Sequence, residues 1–181
     1  MTRMAIAISI LMAVSVAFVL ANGQEAAYAQ AQTTATLSPS KDNTLFESSR
    51  GTRSNGAGEY LFAGRTGGRA SGKKQRAVIA FDVVGGVQAG ATITSAQLTL
   101  RMSRSNTGSQ TFKLHKLLAD WGEGESNAGE PNSDDNSAAS ASGDATWIHT
   151  FFDTAMWAKP GGDFSDSLSA SISVGRTGFY S

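Results

Sequence analysis

The sequence predicts an all-β domain: two antiparallel sheets packed as a sandwich, with connections of the jelly-roll type. Apolar and polar residues alternate with period two in several segments. Beyond the N-terminal segment, helical periodicity is confined to residues 150–157, about two turns. Loops rich in Gly, Ser and Asn separate the alternating segments. One-sided strands favour a sandwich, because each sheet then buries one face and leaves the other in water.

Residues 1–29 are predicted to be a secretory signal peptide, called the leader below. Arg3 is followed by sixteen uncharged residues, 5–20, and then by a run of small and polar residues. This apolar run is shorter than the roughly 20 residues that a membrane-spanning helix needs. Ala27 and Ala29 favour cleavage after Ala29, with residues 21–23 as an alternative site. We therefore expect a secreted or cell-surface protein that has no membrane contact after cleavage.

The mature chain is expected to hold a short linker, residues 30–35, and one domain, residues 36–181. In segment 96–102 the alternation predicts Ala96, Leu98, Leu100 and Met102 inside, and in segment 168–174 apolar residues alternate with serines. Segment 76–83 reads as a strand with residues 77, 79, 81 and 83 on one face and Arg76 on the other. The remaining expected strands are 34–37, 59–63 and 112–115.

Composition excludes several classes of protein. The chain has 181 residues, with 15 basic and 15 acidic side chains and no cysteine. A chain without cysteine has no disulfide scaffold, no zinc-thiolate site and no thiol nucleophile. The zero net charge argues against a nucleic-acid partner. The charge is nevertheless segregated: residues 50–76 carry seven bases and one acid, whereas residues 122–144 carry six acids and no base.

No arrangement of residues predicts catalysis, so we expect a protein that is not an enzyme. Nucleophilic catalysis needs a hydroxyl, a base and a group that orients the base. The chain has only His115 and His149, both read as surface or packing residues, and no G-x-S-x-G motif. No cofactor or metal ion is expected. A structural calcium ion at Asp134 and Asp135 is an alternative that lacks the usual loop motif.

The basic segment supplies the candidate ligand-binding residues. A polysaccharide site combines aromatic faces with polar groups, and acidic sugars add the need for guanidinium or ammonium partners. Solvated loop residues are the alternative reading of these side chains. Trp121 and Trp147 border the acidic segment and are expected to anchor its ends or to lie in the core. The candidate ligand-binding residues are Tyr60, Arg65, Lys73, Lys74 and Arg76.

Several motifs resemble the DNRLRE-domain family. They are residues 38–47 (SPSKDNTLFE), 76–83 (RAVIAFDV) and 89–100 (AGATITSAQLTL), followed by the tryptophan motifs at 118–124 (LADWGEG) and 143–147 (GDATW). The resemblance covers residues 36–181. It implies a secreted β-sandwich of bacterial surface and extracellular proteins, similar to a carbohydrate-binding module family attached to alginate lyases. Proteins that resemble this one continue beyond the Gly178-Phe179-Tyr180 step, so the resemblance implies a truncated domain or an open C-terminal sheet edge.

The residues and the resemblance together predict a secreted, noncatalytic module that binds an extracellular acidic polysaccharide. One alternative is a structural or adhesive surface domain that binds another protein or a second copy of itself. A remote alternative is an enzyme that degrades polysaccharides.

Overall fold

The computed structural model describes residues 6–15, 32–66, 72–105, 108–129 and 137–181. Over these residues the chain is all-β and antiparallel, which confirms the predicted sandwich class. The elements in chain order are β1 (Ile6–Ser15), β2 (Gln32–Leu37), β3 (Pro39–Phe46), β4 (Arg53–Ser54), β5 (Gly64–Arg65), β6 (Lys74–Phe81), α1 (Val83–Gly86), β7 (Thr92–Ile93), β8 (Gln97–Met102), β9 (Gln110–Leu117), β10 (Ala138–Ala139), β11 (His149–Phe151), β12 (Ala155–Met156), β13 (Phe164–Val174) and β14 (Gly178–Tyr180).

A three-stranded sheet in the order β3-β6-β5, called the central sheet below, takes part in both clusters of buried residues. Successive side chains of β6 point to opposite faces, and both faces are covered. Val78 on one face is buried, while Ala77 on the other packs against a separate group of buried residues. The predicted division of this segment into a dry face and a wet face is therefore wrong. A second layer covers the face that the alternation assigned to water.

The face of Val78 packs against what we call the tryptophan cluster. All three tryptophans of the chain are buried there, on segments that follow β9. The Trp157 indole N–H donates to the Thr146 carbonyl at 2.8 Å, which satisfies the polar atom of this large ring. The cluster consists of Leu45, Val78, Trp121, Ala145, Trp147 and Trp157.

The face of Ala77 packs against a smaller group, the methionine cluster, formed by Leu61, Met102 and Val174. Met102 is the last residue of β8, which belongs to a second sheet in the order β14-β8-β1-β2. The inward alternation predicted for residues 96–102 is only partly found. Met102 is buried and Leu98 and Leu100 are half-buried, but Ala96 is exposed because β8 begins one residue after it.

The central strand of this second sheet, β1, lies within the segment predicted to be the leader. It pairs with β2 on one edge, from Ile10 opposite Leu37 to Ser15 opposite Gln32. On its other edge it pairs with β8 and, further along, with β7. Strand β2 itself spans most of the segment expected to be a linker. No helix in the described ranges is both long and apolar enough to cross a membrane.

Strands β9 and β13 form a two-stranded ribbon with a poorly covered apolar face. The period-two pattern of residues 168–174 does form a strand, as predicted. However, that strand is covered at one end only: Val174 is buried in the methionine cluster, whereas Ile172 is 37% exposed and Leu168 is 50% exposed. Leu114 of β9, opposite Ala170 and on the side of Ile172, is 39% exposed, while a register shift sets Leu168 opposite His115. An apolar pattern predicts which residues share a face, but not whether anything covers them.

The helical periodicity of residues 150–157 does not correspond to a helix in the structure. Residues 150–157 form a hairpin in which β11 pairs with β12, His149 lying opposite Met156. Asp153 at the turn has φ +59°, a left-handed conformation that an α-helix does not contain. The Trp157 amide donates to the Ile148 carbonyl at 3.1 Å, across the hairpin. Helical spacing over two turns is too short a signal to outweigh this pairing.

Two further boundaries also differ from expectation. Residues 59–63 form a loop, although Leu61 and Phe62 within it are buried, and the strand begins at Gly64. Val83 does not extend β6, because it starts the short helix α1. Asp82 caps that helix by accepting a hydrogen bond from the Gly85 amide at 2.8 Å.

Candidate functional site

The β5–β6 hairpin brings three of the candidate basic residues together. Arg65 lies directly opposite Lys74 in the antiparallel ladder, so their side chains share one face. The ladder continues past the strands, where the Thr66 amide donates to the Lys73 carbonyl at 2.9 Å. The Lys73 amide in turn donates to the Thr66 hydroxyl at 3.1 Å. We call Arg65, Lys73 and Lys74 the basic hairpin.

The charges of the basic hairpin lie at the surface. Arg65 and Lys73 are exposed, and the Lys74 side chain is 43% exposed. One guanidinium nitrogen of Arg65 donates to the Gly72 carbonyl at 3.0 Å, which holds this side chain across the hairpin. The hairpin therefore presents three cations from a backbone that is fixed by its own hydrogen bonds.

Glu47 is the acid that contacts this group. Its carboxylate accepts a hydrogen bond from the Lys74 amide at 2.7 Å and lies 3.7 Å from the Lys74 ammonium. The Lys74 amide hydrogen bond is the largest cause that lowers the pKa of Glu47, and the charges of Lys74 and Arg65 lower it further, against a smaller opposing effect of burial. The positive charges of the basic hairpin therefore stabilise the ionised form of the Glu47 carboxylate.

Arg76 is separated from the basic hairpin by its contacts. Its guanidinium lies 5.0 Å from the Trp147 ring centroid and 4.9 Å from that of Phe164, and it donates to the Gly161 carbonyl at 2.5 Å. Burial lowers the pKa of this guanidinium, and the negative charge of Glu47 partly opposes that effect. These contacts engage the Arg76 cation within the protein and set it apart from the basic hairpin.

The aromatic candidates take different positions. Tyr60 is half-buried in the loop before Leu61, and its carbonyl accepts a hydrogen bond from the Asn55 side chain at 2.8 Å. Trp121 and Trp147 are 3% and 7% exposed, in the tryptophan cluster. Neither indole presents a face on which a sugar ring would stack.

Lys41 of β3 contacts the first tryptophan motif, residues 118–124. Its ammonium lies 4.7 Å from the Trp121 ring centroid and donates to the Trp121 carbonyl at 2.5 Å. It also forms an ion pair with Asp120 at 2.6 Å. The hydrogen bond from Lys41 is the main cause that lowers the pKa of Asp120.

The next residue of β3, Asp42, lies beside Glu123 at the start of the acidic segment. The Asp42 amide donates to the Glu123 carboxylate at 2.9 Å. Burial raises the pKa of the Asp42 carboxyl to about 6, and the negative charge of Glu123 raises it as well. Sequence reasoning missed this pair, because the two acids are 81 positions apart.

The sequence also did not predict a buried polar network. The Asn43 side chain is fully buried and joins β3 to residues on both sides of the acidic segment. Its oxygen accepts from the amides of Thr44 (2.6 Å) and Asn55 (3.1 Å) and from the Ser54 hydroxyl (3.0 Å), and its nitrogen donates to the carbonyls of Glu123 (2.8 Å) and Ala145 (3.4 Å).

Asp144 extends this network. Its carboxylate is fully buried and accepts from the amides of Ala141 at 2.7 Å and Ser126 at 3.3 Å. Gly124 has φ +74° and lies so close that a Cβ there would overlap the Asp144 carboxylate. The two ends of the acidic segment are therefore fixed against the central sheet.

The histidines are engaged with neighbouring groups. His149 is buried, with its Nδ1 2.9 Å from the Thr146 hydroxyl and its ring edge-on to Phe152. Nδ1 of His115 lies 2.9 Å from the Ser165 carbonyl. Among residues that the structure describes, no three acidic or histidine side chains form a group suited to a metal ion. The calcium alternative, Asp134 and Asp135, lies outside the described residues.

Searches of this chain against family models, curated proteins and solved structures found no match.

Proposed function

We propose that the protein is an exported, noncatalytic module that binds an acidic polysaccharide through the basic hairpin. The observation that carries this proposal is the ladder that sets Arg65 opposite Lys74, with Lys73 adjacent and all three charges at the surface. The resemblance to the DNRLRE-domain family supports the same function, since it implies a carbohydrate-binding relative.

Electrostatics favours a ligand with repeated carboxylates. Three cations lie near one acid, Glu47, whose carboxylate is already held by the Lys74 amide. A guanidinium forms paired hydrogen bonds to a carboxylate, and an ammonium adds a point charge without strict geometry. Uronic-acid polymers present carboxylates at intervals along the chain and therefore match a short row of cations.

The hairpin is also organised before any ligand arrives. The Arg65 hydrogen bond to Gly72 and the reciprocal bonds between Thr66 and Lys73 fix the backbone that carries the charges. A ligand that binds to a fixed row of cations loses less free energy to ordering the protein. Arg65 and Lys73 are exposed, and salt screens exposed charges, so we expect weak, salt-sensitive binding to a polymer instead of tight binding to a small sugar.

Affinity electrophoresis in gels that contain a polyuronate tests the proposal. The double substitution Arg65→Ser and Lys73→Ser should weaken retention roughly tenfold, at about 0.5–1 kcal/mol for each exposed charge contact. The matched control is Lys113→Ser with Arg176→Ser, which removes one lysine and one arginine that are exposed elsewhere. Equal loss in both double variants, or no retention of the folded parent protein, would contradict the proposal.

A self-associating surface domain is the second candidate function. The exposed apolar residues of the β9–β13 ribbon favour it, because Leu114, Leu168 and Ile172 are 37–50% exposed. A net charge of zero removes the long-range repulsion that keeps copies apart. Sedimentation of the protein across a salt series tests this candidate. Association that persists at high salt and is lost in Leu168→Ser supports it, whereas a monomer at all salt and protein concentrations excludes it.

A further inference from the structure

Strand β1 occupies the centre of the second sheet, although the sequence predicts that this segment is removed on export. Its residues 10–15 pair with β2, and its residues 6–11 pair with β8. It is thus the strand that joins the two halves of the sheet. Neighbouring strands lie about 4.8 Å apart, so removal of β1 would leave β2 and β8 about 10 Å apart with a vacant strand position between them.

The sequence of β1 fits this position. Large apolar residues occupy its even positions, and small residues occupy all but one of its odd positions. The register sets Ile6, Ile8 and Ile10 opposite Met102, Leu100 and Leu98, which are buried or half-buried residues of β8. Leu37, a buried residue of β2, also lies opposite Ile10. The vacant position therefore calls for an uncharged strand that is bulky and apolar at alternate residues.

The opposite face of β1 has different neighbours. Ser9 lies opposite Thr99, and Ala7 lies opposite Arg101, which is exposed. Along β2, Ala13 lies opposite Thr34, another exposed residue. Positions 7, 9 and 11 of β1 thus pair with polar residues of β8, whereas positions 6, 8 and 10 pair with apolar ones, and strand alternation assigns the two sets to opposite faces, the polar face and the apolar face.

We propose that leader removal converts the domain into a strand acceptor. A signal peptidase hydrolyses one peptide bond with one water, at the predicted Ala29–Gln30 site, leaving a carboxylate on Ala29 and an amine on Gln30. Departure of the leader frees the backbone donors and acceptors of β8 and β2 that pair with β1. The occupant is an extended segment of another polypeptide, about ten uncharged residues with bulky apolar side chains at alternate positions, which adds by strand pairing.

The proposal is independent of polysaccharide binding, because the basic hairpin belongs to the central sheet and not to the second sheet. Loss of one activity with retention of the other is therefore an observable result. A variant in the basic hairpin should still accept a strand, and a domain with an occupied strand position should still bind the polymer.

Strand exchange in the full chain tests the proposal. A site for a specific protease is inserted among residues 22–29, the full chain is folded and then cut, and a labelled synthetic peptide with the sequence of residues 5–16 is added. We expect the cut leader to co-elute with the domain until the peptide replaces it. Occupation of the vacancy should raise the melting temperature relative to the cut chain without its leader.

Two variant peptides make the test specific. The Ile8→Asp, Ile10→Asp peptide places charges on the apolar face and should bind at least a hundredfold more weakly, whereas the Ser9→Asp peptide places one on the polar face and should bind within a fewfold of the parent. Equal binding of all three peptides, or no binding of any, overturns the proposal. If the cut domain instead associates with its own copies and does not bind the peptide, the occupant is a second copy of this chain. That result overturns the proposal that another polypeptide fills the position.

Discussion

The two faces of the central sheet are completed in different ways. On one face, the tryptophan cluster and the Asn43 network are built from segments that lie between β3 and β13. On the other face, the methionine cluster is smaller, and its sheet depends on β1 at its centre. The first face is covered by the domain itself, whereas the second is covered in part by β8, whose sheet neighbour β1 lies in a segment that the sequence marks for removal.

This difference shows that burial of apolar area is not spread evenly over the molecule. The tryptophan cluster contains three indole rings, each of which removes a large apolar area from water. On the other side, Leu168, Ile172 and Phe179 remain between 37% and 69% exposed. We expect the first face to supply most of the stability and the second face to supply the surfaces on which other chains dock.

The strongest test of the contrast is a truncation in each region. Trp147→Ala should lower the free energy of unfolding by about 3–5 kcal/mol, because it opens a cavity in the tryptophan cluster and removes the ring that covers Arg76. Phe179→Ala is the control, since that ring is 69% exposed, and it should change stability by less than about 0.5 kcal/mol. Urea unfolding measures both; similar losses in the two variants would remove the contrast.

The Asn43 network should come next in magnitude. Asn43→Ala leaves buried amides and carbonyls without their partner, so we expect a loss of about 3 kcal/mol. Asn127→Ala removes an exposed amide whose hydrogen bonds water can replace, and should cost about 1 kcal/mol or less. Thermal unfolding of the two variants compares a buried amide with an exposed one. A near-neutral Asn43→Ala would show that the network does not fix the acidic segment.

A pH series tests how the Asp42 carboxyl affects stability. The pKa of Asp42 is raised to about 6 in the folded protein, above its ordinary value of 3.8, so the folded state holds this proton more tightly than the unfolded state. This carboxyl therefore lowers stability progressively as pH rises from about 4 to about 6. Asp42→Asn should stabilise the protein at pH 7.5 by about 1 kcal/mol, a value reduced for partial solvent exposure, and by almost nothing at pH 4.

Asp166→Asn serves as the control for this series, because it removes an exposed carboxylate from β13. Its effect on unfolding should be small at both pH values. If Asp42→Asn had the same effect at pH 4 as at pH 7.5, the raised pKa would not be its cause.

The smallest effect is expected on the exposed ribbon. Leu168→Thr replaces a half-exposed apolar residue by one that favours strands, so the free energy of unfolding should change by less than about 0.5 kcal/mol. Solubility at high concentration should rise, because the apolar patch becomes smaller. A large loss of stability on urea unfolding would mean that Leu168 is covered.

Sequence patterns predicted the strands and the class of fold because period-two alternation follows directly from strand geometry. They failed where polar residues are buried. Period-two alternation does not mark the polar residues Asn43, Ser54 and Asp144 for the core, yet their hydrogen bonds to distant backbone atoms allow complete burial. Such partners lie on segments far apart in the chain, and a local pattern carries no information about them.

The candidate site was predicted in part for a related reason. Clustering of bases in residues 50–76 located the basic hairpin, since Arg65, Lys73 and Lys74 are close in sequence and the pairing of β5 with β6 brings them together. Arg76 belongs to the same run, but its position beneath Trp147 and Phe164 depends on packing between distant segments. The apolar run of the leader likewise masked an alternation that is compatible with a strand.

Amide hydrogen exchange on the cleavable full chain tests the central contrast most directly. When the cut leader is removed, amides of β8 should lose protection at least a hundredfold, because that strand loses its β1 neighbour. Amides of β3 and β6 should change less than about threefold, because their pairing and the tryptophan cluster remain. Unchanged exchange in β8, or an equal loss of protection in both sheets, would contradict the contrast between the two faces.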